Sequence, residues 1–140
     1  MIEKTLVLIK PDGVRRKLIG KIINFYEEKN LTISSLKMLR ANRNTAEQHY
    51  IEHKNKNFYG DLVDYITESN IIAMIIEGDN AIKIVRKING ATDPLESDMG
   101  SIRGKFANQK QENLVHASDN NDNAEREITL WFPELKIFNN

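Results

Sequence analysis

The stretch NLVHASD, residues 113–119, sets a histidine between a short apolar run and a turn of small and acidic residues. Histidine is the side chain whose charge changes nearest neutral pH, so His116 is either a packed core residue or an imidazole delivered to a cleft. Its company, Asn113 before it and Ser118 and Asp119 just after, favours the cleft. An imidazole is a dependable nucleophile only when one nitrogen is fixed as a donor, and a carboxylate is the usual partner. Glu127 is a candidate for that partner; the alternative is a solvated acid on a helix surface. Side chains alternate along a strand, which puts Leu114 and His116 on one face and Asn113 and Val115 on the other. Convergence of Asn113 with His116 therefore requires a local twist.

Cations form a second set: Lys10 before Pro11-Asp12-Gly13, Arg86 near the end of a helical stretch, and Arg103 between Gly100 and Gly104. Basic and acidic residues balance at 20 each, so any anion site must be local. Three separated cations, two beside glycine-containing loops, suit a polyphosphate, and Thr92 adds a hydroxyl. There is no phosphate-binding G-x-x-x-x-G-K-[ST] loop and no kinase-type glycine loop, so such a cradle is assembled from distant segments. His49 and His53 share a helix face, but the residues between them do not follow the H-E-x-x-H order and no third ligand is evident. Solvated helix polarity is the preferred reading, and no metal ligands are expected from the protein. Phe58-Tyr59 either stacks on a base or anchors its helix in the core. Arg15-Arg16-Lys17 reads as a solvated turn.

The elements that must position these residues follow from periodicity. TLVLIK (5–10) is a buried strand stopped by the Pro-Asp-Gly turn. Ile22, Phe25 and Tyr26 stripe a helix over 21–29 that Asn30 closes. A second strand covers 31–40, with a phase slip at Ser34-Ser35 that predicts a bulge. Thr45 to Gln48 has capping-box spacing and opens one or two short helices reaching about Thr67. IIAMII (71–76) is a central strand, 80–87 a helix, and 90–105 a long loop of the kind that is usually functional. The strand carrying His116 comes next. Asp122 to Glu125 then caps a helix with Ile128 and Leu130. This order is compatible with an α+β, ferredoxin-like (split βαβ) four-stranded antiparallel sheet, with helices on one face.

With 140 residues the chain is expected to be one domain, 1–140. It has no cysteine, no long apolar run and no signal-peptide pattern at its start, which predicts a cytoplasmic protein. The strands 5–10 and 71–76 offer neither the aromatics nor the basic face of a ferredoxin-like RNA-binding domain, so no nucleic-acid partner is required.

TLVLIKPDGV (5–14), GATDP (90–94), GSIRGKF (100–106), NLVHASD (113–119) and AEREITLWF (124–132) closely resemble the nucleoside diphosphate kinase family in order and spacing. The resemblance implies a Mg²⁺-dependent ping-pong transfer, in which His116 takes the γ-phosphate of a nucleoside triphosphate and passes it to a nucleoside diphosphate. It also implies roles: Glu127 orients the imidazole, Ser118 supports Glu127, and Lys10 and Tyr50 reach the phosphoryl group. Arg86, Thr92 and Arg103 match phosphate ligands, Asn113 the contact to the sugar 3′-hydroxyl, and Phe58 and Leu62 the clamp on the base. Stacking reads a π-face rather than a hydrogen-bonding edge, which accounts for tolerance of any base. The metal is held chiefly by nucleotide and water. Met99 stands where the family usually has proline, and Lys105 where an acid is common. The family forms homo-oligomers, and a full-length 90–105 loop favours the hexamer over the tetramer. A nucleotide-binding regulatory module of the same fold is the alternative to the enzyme.

Overall fold

In the computed structural model, which describes residues 1–136, the first strand β1 spans Ile2–Ile9 and is fully buried from Leu6 to Ile9. A continuous apolar run, rather than an alternating one, needs cover on both faces of its sheet. The strand β3 (Ile71–Asp79) has the same character and pairs antiparallel with β1 from Ile2↔Asp79 to Ile9↔Ile72. On the far side of β3 runs β2 (Thr32–Leu39), with a register shift between Ile33 and Ser35 at the predicted bulge. The short β4 (Val115–Ala117) pairs antiparallel with β1, giving the order β2-β3-β1-β4. This is the four-stranded antiparallel, ferredoxin-like sheet.

Helices cover both faces, and the expectation of one covered face is corrected. On one side, Val7, Ile9, Met74 and Ile76 meet Ile22 and Tyr26 of α2 (Ile19–Glu28) and Val85 of α5 (Ala81–Asn89). Opposite, Leu6, Leu8, Ala73 and Ile75 meet Ala46 of α3 (Arg43–His49), Val63 and Ile66 of α4 (Tyr59–Thr67), and Ile128 and Trp131 of α7 (Asn121–Trp131). Ile128 is buried as expected of its helix, whereas Leu130 is only partly covered.

Other boundaries differ for identifiable reasons. Pro11-Asp12-Gly13 is not a plain turn; proline at the first helical position opens the one-turn helix α1 (Pro11–Arg15). Both capping assignments move upstream. The side chain of Asn42, not Thr45, caps α3 by accepting from the Thr45 N–H at 2.8 Å. That of Asn120, not Asp122, caps α7 by accepting from the Asn123 N–H at 2.8 Å. Asparagine is among the best N-cap residues, and in a polar run spacing does not distinguish it from its neighbours. The 90–105 segment is not all loop. It holds a 3₁₀ turn at Pro94–Glu96 and the short helix α6 (Ile102–Phe106), capped by Ser101 Oγ accepting from the Gly104 N–H at 3.0 Å.

Gly104 allows α6 to lie against the preceding turn, since a Cβ there would sit 1.8 Å from the Asp98 carbonyl oxygen. That obstacle is backbone, which moves only if the segment does. Gly104→Ala is therefore expected to lower unfolding free energy by about 2 kcal/mol or more, read as a shift of the urea midpoint. An unchanged midpoint would show that the turn at Asp98 is free to move.

Candidate active site

The site is built on a backbone reversal. Leu114 has φ 76° and the Val115 N–H donates to the Asn113 carbonyl at 2.9 Å, the hydrogen bond of a γ-turn. This is the twist that strand alternation demanded. Asn113 now faces the same cleft as His116. The turn is pinned from outside: the Leu114 N–H donates to Asp12 Oδ2 at 3.1 Å, and its carbonyl accepts from the Lys10 N–H at 2.8 Å. Asp12 is itself buried and takes a hydrogen bond from the Tyr65 hydroxyl. Burial raises the Asp12 carboxyl above the usual carboxylate range, with Lys10 pulling the other way.

His116 projects from β4 with Nε2 2.8 Å from Oε1 of Glu127 on α7. Glu127 is buried, not solvated, and its company explains why that is tolerated. Ser118 Oγ donates to the same Oε1 at 2.8 Å while accepting from the Leu6 N–H at 3.2 Å, and Arg126 Nη2 lies 3.7 Å from Oε2. A carboxylate only accepts. Nε2 therefore carries the ring proton, and Nδ1 holds the lone pair.

Around this pair is a cleft of about 260 Å³ that brings together Lys10, Tyr50, Arg86, Thr92, Arg103, Asn113, His116 and Glu127. Ser118 sits behind Glu127. The three expected cations bond neutral acceptors. Lys10 Nζ donates to Asn113 Oδ1 at 3.0 Å and Arg86 Nη1 to the Ala117 carbonyl at 3.2 Å. Arg103 donates to the carbonyls of Asn113 (3.2 Å), Gly90 (2.7 Å) and Val115 (2.6 Å). Among the described residues, none of the three forms a salt bridge. Burial and the Arg103 charge lower the Lys10 ammonium to about 8, and burial lowers Arg103 to about 10, so both are cationic at neutral pH. The Asn113 amide also donates to the Thr92 carbonyl at 2.9 Å. Asp119, on the cleft wall, is held below the usual carboxylate range by its hydrogen bond from Asn123.

Phe58 and Leu62 do not line this cleft. Phe58 is 46% exposed and its ring lies 5.5 Å from that of His53, which does line it, so Phe58 stands at the rim. Tyr59 instead packs on the core and donates to the Glu47 carbonyl, so the two aromatics divide the alternatives between them. The expectation for His49 is overturned. It is buried, its ring is 4.5 Å from that of His116, and Nδ1 accepts from the Trp131 indole N–H at 3.1 Å. A signal existed, because Ala46, His49 and Tyr50 follow helical spacing on one buried stripe. Burial first, then the cations nearby, lowers His49 well below the usual histidine range. Arg126 was also missed, and no sequence pattern marks it.

The model of the nucleoside diphosphate kinase family matches residues 3–137. The nucleoside diphosphate kinase of Methanobrevibacter smithii is 50% identical over 98% of this chain and 91% of its own length. That of Methanocaldococcus jannaschii is 49% identical over 99% of each. Among solved structures, a nucleoside diphosphate kinase family protein from Babesia bovis superposes with a TM-score of 0.92 at 46% identity, covering 94% of this chain and 90% of that one. A halophilic nucleoside diphosphate kinase from Halobacterium salinarum in complex with CDP does so with 0.91 at 42%, covering 94% and 88%.

Because Ser118 satisfies a buried backbone donor and a buried carboxylate together, Ser118→Ala is expected to cost about 1–3 kcal/mol of stability. Denaturant unfolding measures this, and a loss below a few tenths would mean that water enters and replaces the hydroxyl.

Proposed function

The chain belongs to the nucleoside diphosphate kinase family, and from that premise we propose how its own residues carry a phosphate from a nucleoside triphosphate to a nucleoside diphosphate. The reading is carried by one observation: an imidazole fixed at Nε2 by a buried glutamate, with Nδ1 left for chemistry, beside three cations that have only neutral partners.

In the first half-reaction the Nδ1 lone pair of His116 forms a bond to the γ-phosphorus. The bond from that phosphorus to the bridging oxygen breaks, and the departing nucleoside diphosphate keeps the electron pair. The Nε2 proton stays against Glu127, whose carboxylate offsets the positive charge of the phosphorylated ring. A second nucleoside diphosphate then attacks the same phosphorus with a terminal oxygen, and the electron pair of the breaking N–P bond returns to Nδ1. One cleft serves both halves, which is the logic of a ping-pong reaction.

Arg86, Arg103 and the Thr92 hydroxyl bind phosphate oxygens, and Lys10 and Tyr50 reach the transferring group, where charge stabilisation contributes most. Asn113 contacts the sugar 3′-hydroxyl. Exposed Phe58 and neighbouring Leu62 hold the base at the rim, as suits a contact indifferent to base identity. Mg²⁺ would fit this donor set as a nucleotide-borne ion: Glu127 is engaged by His116 and Ser118 and Glu52 lies beside Arg126, so Asp119 is the cleft carboxylate without a cationic partner that would hold the ion through its waters. When bound with nucleotide it supplies neutralising charge on the β- and γ-phosphates.

The reading includes one domain over 1–140, a cytoplasmic setting and a homo-oligomer, the hexamer preferred to the tetramer. Among the described residues no helix is long and apolar enough to cross a membrane. Exposed Leu36 and Met38 on the edge strand β2, and Leu95 and Met99 in the 90–101 segment, are apolar surfaces that subunit contacts would cover.

Incubation with γ-labelled ATP and Mg²⁺ should leave an acid-labile, base-stable phosphate on the protein, and His116→Ala should abolish it. Binding without label would instead support the regulatory module, and label retained in the variant would remove His116 from its role. Lys10→Ala should reduce the transfer rate by tenfold or more than it weakens nucleotide binding, because the charge is needed most in the transition state. Equal losses in rate and affinity would count against that assignment.

A further inference from the structure

His49 is not used by the mechanism, yet it touches the nucleophile. Its Nδ1 accepts from the Trp131 indole, a group that only donates. Nδ1 must therefore present a lone pair. In the neutral ring the proton lies on Nε2, and protonating both nitrogens would set an N–H against an N–H. His49 is buried and lines the cleft together with Lys10 and Arg126, and Glu127 there is already engaged by His116. Both His49 nitrogens are thus committed, one to the indole and the other to its proton.

The consequence concerns metal. Ligand atoms of His49, His116 and Glu127 lie within 4.8 Å of one another. Two histidines and a glutamate are a ligand set of catalytic zinc, whose bonds to nitrogen are about 2.0–2.1 Å, so the rings would have to turn inward to close the shell. Each ligand must offer a free lone pair, and His49 as held has none. We propose that Trp131 is a positioning residue that locks His49 in the Nε2–H tautomer and thereby denies a transition-metal ion the third ligand it needs to capture His116. The benefit to catalysis rests on the reading of His116 as nucleophile; the tautomer and the exclusion of metal stand on geometry alone.

Histidine ¹⁵N spectra of the intact wild-type protein at neutral pH should show His49 with an unprotonated Nδ1 and a protonated Nε2. The opposite tautomer, or an imidazolium, overturns the proposal without recourse to any variant. Zn²⁺ alone, titrated in competition with a chromophoric chelator, should bind Trp131→Phe at least tenfold more tightly than wild type, and adding His49→Phe should remove the gain. Lost packing alone creates no zinc site, so a merely structural role for Trp131 predicts no gain. Equal affinity in wild type and Trp131→Phe overturns the lock, as does a gain that survives without His49. Zinc binding does not depend on phosphoryl transfer, so a zinc gain in a protein that takes no label would sink the mechanism and leave the lock standing.

Discussion

Leucine reaches φ 76° only when its surroundings compel it, since that backbone conformation costs about 1–3 kcal/mol. At Leu114 the compulsion comes from several sides. Its N–H is held by Asp12, its carbonyl by the Lys10 N–H, and the carbonyls on either side, of Asn113 and Val115, by Arg103. The side chain is fully buried in the core, so a glycine that relieved the backbone would leave a cavity behind. This turn reconciles a strand residue, His116, with an asparagine three positions earlier that would otherwise project from the opposite face. It also points two carbonyls at one guanidinium. Strain, cation and imidazole are parts of one arrangement.

The electrostatics follow from the choice of partners. Cations beside carboxylates are neutralised before any substrate arrives; cations beside amide and peptide oxygens are oriented and desolvated but keep their charge. Lys10 and Arg103 belong to the second kind, and Arg86, though exposed, likewise bonds only a peptide oxygen. Carboxylates pair with other cations, Glu127 with Arg126 in the cleft and Asp64 with Arg43 and Glu134 with Lys37 on the surface. A protein with no net charge can in this way keep three cations without carboxylate partners in a cleft that also holds Glu52, Asp119 and Glu127. The low ammonium pKa of Lys10 reflects the same arrangement, because burial and the charge of Arg103 destabilise its charged form by more than Asp12 restores.

The helix α7 couples packing to the site. Ile128 and Trp131 lie in the core against β1 and β3, while Glu127 and Arg126, on the same turns, face the cleft. The glutamate cannot drift without repacking the core, which close-packed interiors resist. Trp131 extends this coupling to a second element, since its indole N–H fixes the ring of His49 on α3. The sheet must be covered on both faces for this to hold, because α3, α4 and α7 occupy one face and α2 and α5 the other.

Sequence alone located the strands, the bulge at Ser34-Ser35, the helical stretches and the residues with chemistry to offer, because these depend on local alternation and on side-chain type. It named His116, Glu127 and the three cations as candidates, and the cleft contains them all. It misplaced both N-caps, where several polar residues compete for one position and only the bonded geometry separates them. It also left His49 on a solvated face, although Ala46 and Tyr50 beside it follow a buried stripe. What tertiary structure decided was everything that opposes local preference: the left-handed turn at Leu114, the burial of Glu127, and the tautomer of His49. Each is unfavourable in isolation and is held by partners on other elements: Asp12 and Arg103 for the turn, Ser118 and His116 across the gap from β4 to α7 for Glu127, and Trp131, 82 positions away, for His49.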